Sequence, residues 1–149
     1  MINESLFSSK SNEWVTPNYV FQQLNREFKF TLDPCCTKDN KKCKKFYTKK
    51  ENGLLQDWSK ESVFMNPPYG KEIKLWVQKA YEESLKGATV VCLIPARTDT
   101  VYWHDYCFKG QVRFIKGRLK FSGKGSAPFP SAVVIFKKGI NNVSFAVSF

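Results

Sequence analysis

The chain has 149 residues, 42% hydrophobic and 15% aromatic, which is enough apolar material for one domain-sized core and too much for a disordered or collagen-like chain. An excess of 24 Lys and Arg over 13 Asp and Glu leaves a formal charge of +11, which favours a polyanionic partner and argues against a protein substrate. Five cysteines (Cys35, Cys36, Cys43, Cys92, Cys107), odd in number and without a CxxC pair, fit neither a disulfide framework nor a zinc ribbon, so no metal is expected and a reducing cytoplasm is the expected setting.

No apolar run approaches the roughly 18 residues that span a bilayer, and the first residues are polar, so neither secretion nor membrane insertion is expected. Residues 1–12 read as a flexible arm ahead of a single domain over 13–149. Thr16 as N-cap and Pro17 at the first helical position open a helix. Its Val20, Phe21, Leu24 and Phe28 recur at three- and four-residue spacing, and it ends near Glu27. From Phe28 to Leu32 apolar and polar residues alternate until Asp33-Pro34, where proline cannot continue a central ladder, which predicts a strand ending in a carboxylate. The lysine-rich stretch to Lys50 reads as a helix fragment or loop, and Glu51-Asn52-Gly53 as a turn.

Val63-Phe64-Met65 is brief, apolar and bounded by a proline pair, which predicts a buried strand stopping at Asn66. Ile73, Trp76, Val77, Ala80, Tyr81 and Leu85 then keep one helical face apolar, with Gly87 as the stop. The continuous apolar run from Ala88 to Ile94 predicts a central strand of a parallel sheet, followed by a helix from about Asp99 to Phe108. The period then changes to two, with hairpin strands at Val112 to Ile115, Leu119 to Phe121 and Ala132 to Phe136, and a last edge strand in Val143 to Phe149. Strands alternating with helices, followed by an antiparallel tail, give an α/β fold with a mostly parallel sheet flanked by helices and an antiparallel C-terminal hairpin.

Positive charge is concentrated in two acid-poor runs. Seven lysines, among them Lys41, Lys42, Lys44 and Lys45, lie between Lys38 and Lys50 beside one acid, and the stretch from Lys109 to Lys124, with Arg118 and Lys120, contains none. Either run alone reads equally well as a solvated face, but two in one small domain favour nucleic acid. Arg97 follows the central strand and is a candidate for a phosphate or a base pocket, with a strand-end ion pair as the alternative.

Asn66-Pro67-Pro68-Tyr69 sets an amide, a rigid turn and an aromatic ring just beyond the carboxyl end of a strand, the edge where ligands bind in such sheets. A turn followed by a core tyrosine is the structural alternative. The exocyclic amine of a nucleobase attacks poorly because its lone pair is delocalised into the ring. If the Asn66 side-chain oxygen and the Pro67 carbonyl each accept one amine hydrogen, the nitrogen turns tetrahedral and its developing positive charge is stabilised without a strong base. Tyr69 is expected to stack on the base, which must leave the duplex at a cost of about a few kcal/mol.

Taken in order, Trp14-x-Thr16-Pro17, Leu32-Asp33-Pro34-Cys35, Asn66-Pro67-Pro68-Tyr69-Gly70 and Leu93-Ile94-Pro95-Ala96-Arg97-Thr98 resemble the phage-type DNA N6-adenine methyltransferases. The match spans nearly the whole sequence, with Trp103, Gly117 to Phe121 and Ala127 to Phe136 also falling where that family has comparable segments. The resemblance implies a Rossmann-like class I methyltransferase fold, S-adenosylmethionine as cofactor, adenine in DNA as target, and Asn66, Pro67, Pro68 and Tyr69 as catalytic motif. It also implies that Thr16 and Pro17 lie beside the methionine part of the cofactor, that Asp33 and Pro34 bind its ammonium or a ribose hydroxyl, and that Asp57 approaches its adenine. A recognised GATC site and the modification of phage DNA against restriction follow from the same resemblance alone.

Two features depart from larger enzymes of this type. Asp33-Pro34-Cys35-Cys36-Thr37 contains no glycine, and Asn66 follows Asp33 by only 33 positions, so one strand-helix unit is expected to be absent. The competing readings are the same chemistry on cytosine N4 and a nucleic-acid-binding module that has lost catalysis.

Overall fold

A computed structural model of the chain describes residues 14–122 and 124–149, so the arm expected over residues 1–12 lies outside the described residues. Seven strands build the main sheet: β1 (Leu32–Asp33), β2 (Lys45–Phe46), β3 (Ser62–Met65), β4 (Thr89–Pro95), β5 (Gln111–Ile115), β8 (Ser131–Phe136) and β9 (Ser144–Val147). Between β5 and β8, β6 (Lys120–Phe121) and β7 (Gly125–Ser126) form a separate hairpin. The order across the sheet is β2-β1-β3-β4-β8-β5-β9. The first four strands are parallel, β8 lies antiparallel between β4 and β5, and β9 pairs parallel with β5 at the edge.

Hydrophobic runs decide which strands are central. TVVCLIP in β4 and SAVVIF in β8 are buried almost throughout and pair along their length, and strands apolar on both sides need cover on both faces. Helix α1 (Asn18–Phe28) covers one face, while α2 (Ile73–Leu85) and α3 (Val101–Asp105) cover the other. Neighbouring residues of β5 show the division, because successive side chains point to opposite faces. Arg113 forms a bidentate pair with Glu27 of α1 at 2.6 and 2.7 Å, and Phe114 stacks on Trp103 of α3 with centroids 6.2 Å apart. No helix among the described residues is long and apolar enough to cross a membrane.

Topology positions the site. From β1 the chain steps outward to β2 and then returns to the other side of β1 as β3, so the winding direction reverses between β1 and β3. A crevice opens outside the carboxyl ends of two strands that part in this way. Helix α2 carries the chain from the carboxyl end of β3 back to the amino end of β4, as a parallel connection must. Since β4 and β5 are both antiparallel to β8, they share a direction, and the segments 96–100 and 116–130 emerge at the same carboxyl edge as residues 66–72.

Several elements differ from the sequence-based expectation. Helix α1 begins at Asn18, with Pro17 as the cap residue and no side-chain cap bond, so Thr16 is not its N-cap. The first strand is reduced to Leu32–Asp33. Lys45–Phe46 is a strand inside the stretch read as helix fragment or loop, and α3 is one short helix followed by a 3-10 turn at Cys107–Lys109. β9 is the expected edge strand.

Candidate active site

A cavity of about 1140 Å³ occupies the crevice between β1 and β3. Asp33 closes β1 and is 4% exposed. Its carboxylate accepts the backbone N–H of Lys42 at 3.0 Å and of Cys35 at 3.4 Å. Burial pushes its pKa up, against the pull of these two donors. The turn after β1 has no glycine of its own. Gly53 supplies the close approach from outside: a Cβ there would lie 2.0 Å from the Pro34 carbonyl oxygen. Gly53 and Trp76, both in the cavity wall, read from the sequence only as a turn residue and as part of a helical stripe, because nothing local ties them to Pro34.

Asn66 follows β3 directly, and its amide is held on both ends. Nδ2 donates to the Trp14 backbone carbonyl and to Thr16 Oγ1 at 2.9 Å. Oδ1 accepts the Tyr69 hydroxyl at 2.6 Å, and the same hydroxyl lies 2.9 Å from the Leu93 carbonyl oxygen, so its single proton is shared between two acceptors. Asn66, Pro67 and Pro68 line the cavity, as do Thr16, Asp33 and Pro34.

Tyr69, expected to stack on a base, is packed into the core instead. Its ring stands edge-on to Phe121 and Phe129, with centroids 6.2 and 5.6 Å away, and it is 4% exposed. Burial raises its pKa well above the usual phenolic value. Tyr69 is absent from the cavity wall in this arrangement because its hydroxyl and both ring neighbours draw it inward.

Two expected cofactor residues lie elsewhere. Pro17 is buried outside the cavity wall, its carbonyl accepting the N–H groups of Val20 and Phe21. Asp57 is exposed and accepts the N–H of Ser59 at 2.9 Å, which lowers its pKa. It precedes β3 and feels Lys86 beyond the end of α2, so it sits at the amino edge of the sheet, opposite the cavity.

The lysine run is divided between those two edges. Lys42 lines the cavity and donates to Asn18 Oδ1 at 3.0 Å, and burial lowers its pKa. Lys45 begins β2 and pairs with Glu61 at 2.6 Å, at the amino edge. Lys41 and Lys44 are exposed, Lys41 over the Phe46 ring at 4.5 Å. Arg97, Arg118 and Lys120 are exposed at the carboxyl edge, Arg97 over the Phe129 ring at 5.8 Å and Arg118 donating to the Ala127 carbonyl at 3.4 Å. Burial pushes the thiols of Cys35, Cys36 and Cys43 up. No group of three or more His, Cys, Asp or Glu able to hold a metal ion occurs among the described residues.

A family model described as DNA N-6-adenine-methyltransferase (Dam) matches residues 4–143. A DNA N-6-adenine-methyltransferase of Haemophilus phage HP1 is 32% identical over 117 residues, covering 77% of this chain and 67% of that protein. A protein of the same description from Escherichia phage T1 is 34% identical over 94 residues, covering 62% of this chain and 39% of its own length. Among solved structures, one described as the modification subunit of a type I restriction enzyme from Vibrio vulnificus superposes with a TM-score of 0.60 at 12% identity, over 97% of this chain and 49% of that one, a likeness of fold.

Proposed function

The chain belongs to the DNA N-6-adenine-methyltransferase family, and from that premise we propose that it is an S-adenosylmethionine-dependent enzyme methylating the N6 amine of an adenine extruded from cytoplasmic phage or host DNA. The reading takes residues 13–149 as one methyltransferase domain. The fixed amide of Asn66 carries it. Both Nδ2 hydrogens are spent on Trp14 and Thr16, and Oδ1 holds the Tyr69 proton on one side, leaving a second lone pair at the cavity wall.

An adenine amine at that wall donates one hydrogen to Asn66 Oδ1 and the other to the Pro67 carbonyl. The two acceptors pull the nitrogen out of conjugation and stabilise the positive charge that grows on it. Pro68 stiffens the turn that presents them. Tyr69 holds Asn66 from behind.

The cavity fits the cofactor. Its volume matches or exceeds the roughly 300–1,000 Å³ of small-molecule sites, and a buried carboxylate with few protein donors suits an ammonium or a ribose diol. Asp33 and Pro34 would hold it. S-adenosylmethionine, when bound, supplies a methyl group on a sulfonium sulfur, an electrophile that needs no further activation. Lys41, Arg97, Arg118 and Lys120 are exposed cations suited to DNA phosphates.

Incubating the protein with labelled cofactor and unmethylated DNA, then analysing nucleosides by mass spectrometry, tests the reading. N6-methyladenine is expected from the wild type and none from Asn66→Ala, with cofactor affinity kept within about threefold because the amide serves the base rather than the cofactor. Formation of 4-methylcytosine, or full activity in Asn66→Ala, would overturn it.

A further inference from the structure

We propose that Thr16 is a positioning residue for Asn66: its hydroxyl fixes the plane of the amide so that Oδ1 is aimed at the substrate amine. The inference rests on the role proposed above for Asn66. Thr-Pro before a helix ordinarily reads as a cap, yet Thr16 makes no cap bond to α1. The side chain is 2% exposed, and its oxygen is 2.9 Å from Asn66 Nδ2, fifty positions along the chain.

An asparagine amide needs such help. Its terminal torsion is broad and nearly two-fold, so packing alone fixes neither its tilt nor which end is oxygen. The Trp14 carbonyl accepts one hydrogen of Nδ2, which decides the end, because a flipped amide would set Oδ1 against another acceptor. The Trp14 carbonyl and the Tyr69 hydroxyl, one at each end, still leave the second Nδ2 hydrogen without an acceptor. Thr16 Oγ1 takes the second hydrogen and fixes the plane. With the plane fixed, the lone pair of Oδ1 that Tyr69 leaves unused has one direction.

The strap that carries Thr16 is anchored by contacts within the protein. Ser122 N–H donates to the Val15 carbonyl at 3.1 Å, and the Trp14 ring stands edge-on between Phe121 and Phe129, at 5.4 and 5.1 Å. Thr16 is thus delivered to Asn66 by the core and by the residue that follows β6.

Thr16→Val removes the acceptor at nearly constant volume, and Thr16→Ser keeps it. The expected result for Thr16→Val is a kcat lower by about tenfold to a hundredfold, the usual consequence of misaligned reacting groups, with the calorimetric Kd for S-adenosylmethionine within about twofold of wild type. Thr16→Ser should restore kcat to within about threefold. Should Thr16→Val not fold by its urea transition, Thr16→Ala is judged by the same two numbers. A raised Kd with kcat preserved at saturating cofactor would make Thr16 a cofactor ligand and overturn the proposal, and so would a wild-type kcat in Thr16→Val. If that happens while Asn66→Ala stays inactive, the role of Asn66 stands and only the role of Thr16 falls. A wild-type protein that forms no N6-methyladenine would instead remove the premise of both.

Discussion

Replacing Gly53 by alanine tests how the turn after β1 is held. The added Cβ would lie 2.0 Å from the Pro34 carbonyl oxygen, 3.0 Å from its carbon and 3.2 Å from the edge of the Trp76 ring. Two of these three atoms are backbone, so no side chain can swing aside. Ordinary contact begins near 3.4 Å, so the two segments must part by about 1.4 Å. The Gly53 carbonyl also accepts the indole N–H of buried Trp58 at 3.0 Å, a bond that such a shift breaks. Overpacking costs about 1–3 kcal/mol and the lost bond about 1 kcal/mol more. At about 3 °C per kcal/mol for a chain of this size, the melting temperature should fall by roughly 6–12 °C. Because Pro34 also lines the cavity, affinity for S-adenosylmethionine should fall with it. Calorimetric scanning and cofactor titration on the same samples are the assay. A melting temperature within about 1 °C of wild type, with unchanged affinity, would show that the approach of Gly53 to Pro34 supports neither the fold nor the cavity.

Two further outcomes follow from the charges. The Asp33 pKa is raised above 3.8 in the folded chain, so the stability its proton provides is fully present below that value and is lost as pH rises through the folded value, leaving an ionised, buried carboxylate that a bound cation would relieve. Affinity for S-adenosylmethionine should therefore weaken on acidification in a window that opens above pH 3.8, and Asp33→Asn should bind weakly with no such pH dependence; wild-type affinity in Asp33→Asn would remove the assignment. Among the lysines, Lys41→Gln should reduce the salt slope of DNA affinity by about 0.9, whereas Lys44→Gln and Lys45→Gln, at the amino edge where β2 begins, should leave it nearly unchanged; equal losses at all three positions, read by fluorescence anisotropy, would contradict the division of the run.

The sequence was most legible where one element is long and has one period. The apolar run in β4, the helical stripe of α2 and the stop of β3 at Asn66 all lie where local pattern predicts, and residues 66–68 line the crevice because a segment directly after a parallel strand can only emerge at the carboxyl edge. Local pattern failed where a residue is claimed by a partner far along the chain. Thr16 satisfies the local rule for a cap, but Asn66 takes its hydroxyl; Tyr69 satisfies the rule for an exposed platform beside a ligand, but Leu93 and two phenylalanines take it inward. Neither contest is visible within a short window of sequence.

The lysine run does not form a single patch, for a topological reason. It joins the carboxyl end of β1 to the amino end of a parallel neighbour, β2, and any such connection must cross from one edge of the sheet to the other. Charges spaced along it are therefore distributed to both edges whatever their sequence. Asp33 binds the N–H of Lys42 near the cavity, and Glu61 binds Lys45 at the far side, so the two carboxylates mark the ends of the crossing. A basic run in a connection between parallel strands thus measures less phosphate-binding surface than the same run in a hairpin tip. This favours the exposed cations of the 116–130 segment, which leaves β5 and returns to β8 at one edge, as neighbours of the DNA that delivers the base to Asn66.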